Sequence, residues 1–147
     1  MPEKTDEPNL GVLLFVPYRA MEQRVFAAMA RDGYGDLTPA QARVFQRIAD
    51  DGSRLTELAA QAQVTKQTAG FLVDQLERAG YVERVPDPHD RRARLVRVSA
   101  RGRTAVQASA QVVAAVEREW EGHLGQEGIA ELRTLLTRLR EITDPWA

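Results

Sequence analysis

Between Ser53 and Gly80 the apolar residues form two short helical stripes only a few residues apart, and that spacing leaves the chain few ways to fold. Leu55, Leu58, Ala59 and Ala62 repeat at i, i+3, i+4 and i+7, the spacing of one buried helix face, and Ser53 stands where an N-cap is expected. Gln63 and Val64 make a short turn, and Thr65 is a good N-cap for the next helix. That helix is predicted to bury Ala69, Leu72, Val73 and Leu76, with Gly80 ending it as a residue able to take positive φ. The segment reads as a compact helix–turn–helix.

Downstream of this helix pair the chain turns basic. The stretch Arg84–Arg103, RVPDPHDRRARLVRVSARGR, carries seven arginines against two acids, in a chain whose formal net charge is -1. Two β-like runs, Tyr81 to Val85 and Arg94 to Val98, flank a turn rich in Pro and Asp, the pattern of a hairpin with cations at and just beyond its tip. Such a projection suits gripping phosphates or entering a DNA groove, and by itself it is equally compatible with a solvated charged hairpin. The preceding helix favours the first reading. Its first turn presents Lys66, Gln67 and Thr68, polar donors at the end where a DNA-reading helix meets base edges, and Lys66 is the one lysine beyond the N-terminal tail. A helix pair that leads into a basic hairpin and return strand is a winged helix–turn–helix. The fold class expected is mainly α (α+β), with the winged module at 37–100 inside a single 147-residue domain.

Charge is distributed accordingly. Ser53–Arg103 holds ten basic and six acidic residues, whereas the remainder holds ten against fifteen, so the basic character is local to the module. The flanks read as helices meant for another chain. Residues 9–31 place Leu10, Leu14, Tyr18, Met21, Val25 and Met29 in one stripe, with Pro17 expected to kink it. Residues 101–124 carry Ala105, Ala108, Val112, Val116 and Trp120 behind a Ser99 cap, and 126–143 carry Ile129, Leu132, Leu135, Leu136, Leu139 and Ile142. Apolar stripes at both ends exceed what a winged helix alone would bury, and an intramolecular helical cap is the competing explanation.

In ordered motifs the chain resembles the multiple-antibiotic-resistance regulator (MarR) family of bacterial transcription factors. The resemblance runs through Leu37–Gln41, Leu55–Ala59, Val64–Thr68, Leu76–Arg84, Asp87–Arg92 and Val98–Gly102, about the central half of the chain. It implies a homodimer built from the terminal helices (9–31 and 101–143), reading a pseudo-palindromic double-stranded DNA operator with half-sites about one helical turn apart. By position, Thr65, Lys66, Gln67, Thr68 and Phe71 fall on the recognition helix. Asp90 and Arg92 fall on the Asp-x-Arg of the wing tip, where Arg92 resembles the residue that enters the minor groove and Asp90 the one that orients it. Arg91, Arg94 and Arg97 are expected to contact phosphates or stay solvated, and Arg101 and Arg103 to begin the next helix. Phe71 departs from the family's polar or basic preference; packing against the wing is the favoured expectation over contact with a thymine methyl. The resemblance further implies a repressor released by a small aromatic or anionic effector, with Phe15, Tyr18, Arg19 and Phe45 as candidate pocket residues.

Catalytic readings find little support. The absence of cysteine excludes thiol nucleophiles, disulfides and thiolate metal sites. His89 and His123 lie far apart and outside metal-ligand spacing, and Asp50-Asp51 reads as a helix end rather than a carboxylate pair. No enzyme activity, cofactor or metal is expected. Without a run of about 18 apolar residues, and with an acidic start (MPEKTDEP) in place of a signal peptide's basic region, no membrane association and a cytoplasmic location are expected. The alternative function is a winged-helix protein–protein interaction module without sequence-specific DNA binding.

Overall fold

The computed structural model describes residues 6–146; most of the acidic start, residues 1–5, and Ala147 lie outside the described residues. The elements run α1 (Leu10–Arg31), α2 (Pro39–Phe45), α3 (Leu55–Ala62), α4 (Lys66–Arg78), β1 (Val82–Asp87), β2 (Asp90–Val98) and α5 (Ala100–Thr143). The fold is mainly helical, with one antiparallel two-stranded wing after a helix–turn–helix. Among the described residues no helix is long and apolar enough to cross a membrane.

Local chemistry accounts for most boundaries. Asn9 caps α1 through its side-chain oxygen, which accepts the Val12 N–H at 3.0 Å. Pro17 lies inside α1 and removes one backbone donor without ending the helix. Thr38 and Gln41 form a reciprocal capping box at the start of α2 (3.1 and 3.2 Å). Gln63 takes the left-handed conformation (φ 56°) in the turn between α3 and α4, and Gly80 does so after α4 (φ 83°), as its position predicts. Helix α5 is interrupted at Gly125 (φ 82°, ψ 165°), close to the predicted division between two helices. Its second arm folds back along the first, bringing Arg133 to 3.1 Å from Glu117.

Three expectations are corrected. Ser53 does not cap α3. Its backbone bridges β2 instead, with Ser53 N–H donating to Val96 at 2.9 Å and Val96 N–H donating back at 2.8 Å. Its hydroxyl accepts the Ala49 N–H at 2.9 Å, because pairing the otherwise open edge of β2 claims this residue, and the N-cap position falls to Arg54. Both wing strands extend further than predicted, to Asp87 and from Asp90, leaving only Pro88 and His89 at the tip. Asp50 and Asp51 lie in a turn closed by Gly52 N–H to Ala49 (2.9 Å), since α2 already ends at Phe45.

The core gathers Met29 of α1, Val44 and Phe45 of α2, Leu58 of α3, Leu72, Val73 and Leu76 of α4, Tyr81, wing-base Val82 and Val96, and Ala105 of α5. The first turn of α5 is pressed against the start of β1. A Cβ at Gly102 would run into the Tyr81 carbonyl oxygen and lie 2.8 Å from Val98 Cγ1. Gly102→Ala is therefore expected to lower the unfolding free energy by about 1–3 kcal/mol, through overpacking. Denaturant melts check this, and an unchanged midpoint would contradict the close approach.

Candidate nucleic-acid interface

Helix α4 divides cleanly. Ala69, Leu72, Val73 and Leu76 are buried, whereas Thr65, Lys66, Gln67, Thr68 and Phe71 are exposed. Thr65 Oγ1 accepts the Thr68 N–H at 3.0 Å, and the two threonine hydroxyls lie 2.9 Å apart. The Lys66 and Gln67 side chains have no hydrogen-bond partner among the described residues. The helix itself is tied down from behind, where the buried Gln41 of α2 donates to Gln75 of α4 at 3.1 Å. Phe71 corrects the packing expectation. It is 58% exposed, because the helical repeat turns position 71 to the side opposite the buried stripe.

The wing is a ladder with one irregularity. Partners run Val82–Val98, Glu83–Arg97, Arg84–Val96, Val85–Leu95, Pro86–Arg94 and then Asp87–Asp90. Between the last two pairs β1 advances one residue and β2 four, so Arg91, Arg92 and Ala93 stand out of the ladder. A bulge of this kind re-aims side chains and leaves their direction to local interactions. Those interactions centre on Asp87, which is 6% exposed. Its Oδ2 accepts from Arg54 Nε at 3.0 Å and Nη2 at 2.8 Å, and its Oδ1 accepts the His89 N–H at 2.9 Å. Asp90 contacts Arg92 through the main chain rather than the guanidinium. Its Oδ1 accepts the Arg92 backbone N–H at 3.0 Å, while its Oδ2 lies 3.9 Å from Arg54. The carboxylate thus fixes the main chain of the tip and leaves the guanidinium free.

The arginines of the segment separate by partner. Arg84 pairs with Asp74 (2.7 Å) and Glu77 (2.8 Å), strapping β1 to α4. Arg97, expected to reach phosphate or solvent, pairs with its cross-strand neighbour Glu83 at 2.7 Å. Arg101 bonds Ala79 and Gly33 carbonyls and pairs with Asp36 (3.4 Å). Arg103 donates to the Val98 carbonyl at 3.2 Å. Arg91, Arg92 and Arg94 are exposed and have no ion-pair partner among the described residues. Three uncompensated guanidiniums at one tip form an electrostatic tool suited to phosphate and groove. Sequence reasoning did not single out Arg54, whose N-cap position the structure reveals.

A cavity of about 830 Å³ opens between α1, α2, the base of β2 and α5. Tyr18 and Phe45 line it, and Phe15 and Arg19 do not, since the α1 lining begins at Tyr18 and continues through Met21, Glu22, Val25, Phe26 and Met29. Arg43 and Arg103, together with the Glu83-paired Arg97 and the acids Glu22 and Asp50, also line the wall, and none of them was singled out for this pocket from the sequence. Burial and the adjacent Glu22, which accepts its hydroxyl at 2.9 Å, push the Tyr18 pKa up and keep it a neutral donor.

Comparison with known proteins agrees with this geometry. A model of the MarR family matches residues 35–93. The transcriptional regulator HosA of Escherichia coli O111:H- is 34% identical over 93 residues, 63% of this chain and 69% of that protein. The crystal structure of the reduced form of MarR from E. coli superposes with a TM-score of 0.73 at 25% identity, covering 91% of this chain and 98% of that one. The transcriptional regulator Tm0710 from Thermotoga maritima gives 0.64 at 26% identity, covering 90% and 92%.

The His89 N–H and the Arg54 guanidinium hold the Asp87 carboxyl below the usual carboxylate range. A depressed carboxylate contributes its full stabilisation above the unfolded pKa and loses it as pH falls through the lower folded value. Order at the wing tip is therefore expected to be constant from about pH 5 upward and to fail only in stronger acid. By carboxyl NMR Asp87 should titrate below the roughly 3.9 of a free aspartate, and Arg54→Ala should raise it. Titration at or above the free value would contradict the Arg54–Asp87 pair.

Proposed function

Because the chain belongs to the MarR family of transcriptional regulators, we propose that it is a homodimeric, sequence-specific DNA-binding repressor released by a small effector. The observation that carries this reading is the pairing of two exposed polar surfaces on one module. One is the first turn of α4, where Lys66 and Gln67 have no partner among the described residues and Thr68 is held by Thr65; the other is the bulged wing with Arg91, Arg92 and Arg94. Lys66, Gln67 and Thr68 then read base edges in the major groove, and the exposed Phe71 reaches a thymine methyl. Arg92 enters the minor groove, whose narrow segments concentrate negative potential, while Arg91 and Arg94 hold phosphates.

The exposed apolar residues of the terminal helices support a second copy as partner. Leu10 is 76% and Ile142 82% exposed, and Leu13, Leu14, Phe15, Val16, Leu135, Leu136 and Leu139 are also open to solvent. A surface so apolar at both ends of a small chain is the kind that self-association covers. The two modules of the dimer would then meet successive turns of a pseudo-palindrome. The cavity beside α1 and α2, with Tyr18, Arg43 and Arg103 on its wall, suits a small aromatic anion. Such a ligand acts as an effector by binding the dimer that does not fit DNA more tightly than the one that does. The reading involves no catalytic step, cofactor or metal.

Arg92→Ala is expected to weaken binding to a selected duplex strongly. Lys66→Ala or Gln67→Ala should cost about 1–3 kcal/mol per lost base contact and relax sequence preference. Fluorescence anisotropy at several salt concentrations measures both, and affinity should fall steeply as salt rises. Equal affinity for duplex and heparin, with no effect of Arg92→Ala, would instead favour a protein-docking module. In sedimentation the protein should run as a dimer; a monomer at micromolar concentration would contradict the assembly.

A further inference from the structure

We infer that Arg54 is a positioning residue of the wing, setting through Asp87 and Asp90 where Arg92 points relative to helix α4. The inference rests on the proposed DNA-binding function and deepens it. Arg54 occupies the N-cap position of α3, where Ser, Thr, Asp or Asn would satisfy the free backbone donors. Its side chain turns away to the wing, and the support at this helix start is a long contact of 3.4 Å from the Arg54 N–H to the Glu57 carboxylate. An N-cap without a capping side chain forgoes helix stability, so this position gives it up for another role.

That role is visible in the partners. Both Nε and Nη2 of Arg54 converge on Oδ2 of the nearly buried Asp87, and Nη2 also faces Asp90 at 3.9 Å. The other oxygen of Asp87 accepts the His89 N–H, and Asp90 accepts the Arg92 N–H. A continuous chain of polar contacts therefore runs from the first residue before α3 to the main chain of the bulge. Helix α3 is fixed to the core by Leu58 (fully buried) and Ala59, and leads through one turn into α4. The bulge lacks ladder partners from Arg91 to Ala93, so nothing in the sheet sets its direction. The Arg54 fork sets it instead. A planar guanidinium holds two directions at once, whereas a lysine in its place offers a point charge on a flexible stem.

The test uses a duplex selected by the wild-type protein from a random-sequence pool, with affinities from anisotropy and folding checked by thermal melts. Arg54→Met is expected to weaken binding about tenfold, equivalent to ~1.4 kcal/mol. In an Arg92→Ala background the same change should cost less than about twofold, because non-additivity marks two residues acting through one contact. The slope of log affinity against log salt should be unchanged between Arg92→Ala and the double variant; a direct phosphate contact by Arg54 would lower it by roughly one. Asp87→Asn should reproduce the loss and the non-additivity, which keeps the inference open to refutation if Arg54→Met folds poorly. Full additivity of Arg54→Met and Arg92→Ala, or wild-type binding by Asp87→Asn, would overturn the positioning role alone. An Arg92→Ala protein that binds like wild type would overturn the DNA-reading wing and this inference together.

Discussion

The architecture turns on Tyr81. This residue is wholly buried where α4 ends, the wing begins and α5 arrives. Its N–H donates to the Leu76 carbonyl at 2.9 Å, closing the recognition helix, and its carbonyl accepts the Ser99 N–H at 3.0 Å, placing the cap of α5. Its ring packs edge-on to Phe45 and carries the Arg101 guanidinium 4.3 Å above it. A cation over an aromatic face contributes about 0.5–2 kcal/mol, more as water is excluded. The Tyr81 hydroxyl donates to Asp36, and burial together with that carboxylate raises the hydroxyl pKa, so it stays a neutral donor. The same contact, reinforced by Arg101, holds Asp36 ionised below its usual range. Loop, recognition helix, wing and terminal helix thereby share one joint, and their mutual angles follow from it.

Around this joint, function is apportioned by electrostatics rather than by the number of cations. A chain with net charge -1 cannot attract DNA by its overall field. Arg84, Arg97 and Arg101 have internal acidic partners, and exposed pairs of this type add little stability while still cancelling long-range charge. Arg91, Arg92 and Arg94 of the wing and Lys66 of α4 have no such partner among the described residues. The same division explains the buried carboxylate of the turn. The nearly buried Asp87 is matched by the half-exposed Arg54, while Arg91, Arg92 and Arg94 have no ion-pair partner among the described residues. At the other end of the chain, Asp144 reaches back to Arg47 (3.2 Å) and so ties the returning arm of α5 to the end of α2.

Much of this was legible in the sequence where local periodicity decides the outcome. The buried face of α4, its Thr65 cap and the Gly80 terminus follow from spacing of 3.6 and from single-residue chemistry, and all three hold in the structure. The division of the C-terminal helices near Gly125 was visible for the same reason. Pairings that tertiary contact alone creates were not legible. Ser53 is a good cap in isolation, yet β2 takes its backbone. Arg54 lies 33 positions before Asp87, and no local rule joins them. Phe71 was assigned to packing by residue type, although the helical spacing already turns it away from the buried stripe. Phe15 and Arg19 were grouped with Tyr18 by type, whereas the cavity wall selects residues by helix face.

On the proposed reading, a major-groove reader and a minor-groove anchor share one module, and a twofold axis doubles it. Hydroxyl-radical footprinting on a selected duplex measures that arrangement directly. Two clusters of protected minor-groove sugars, symmetric about a centre and flanking major-groove segments about one helical turn apart, are the expected result. Protection confined to one side of the centre, or a uniform pattern insensitive to Arg92→Ala, would contradict it.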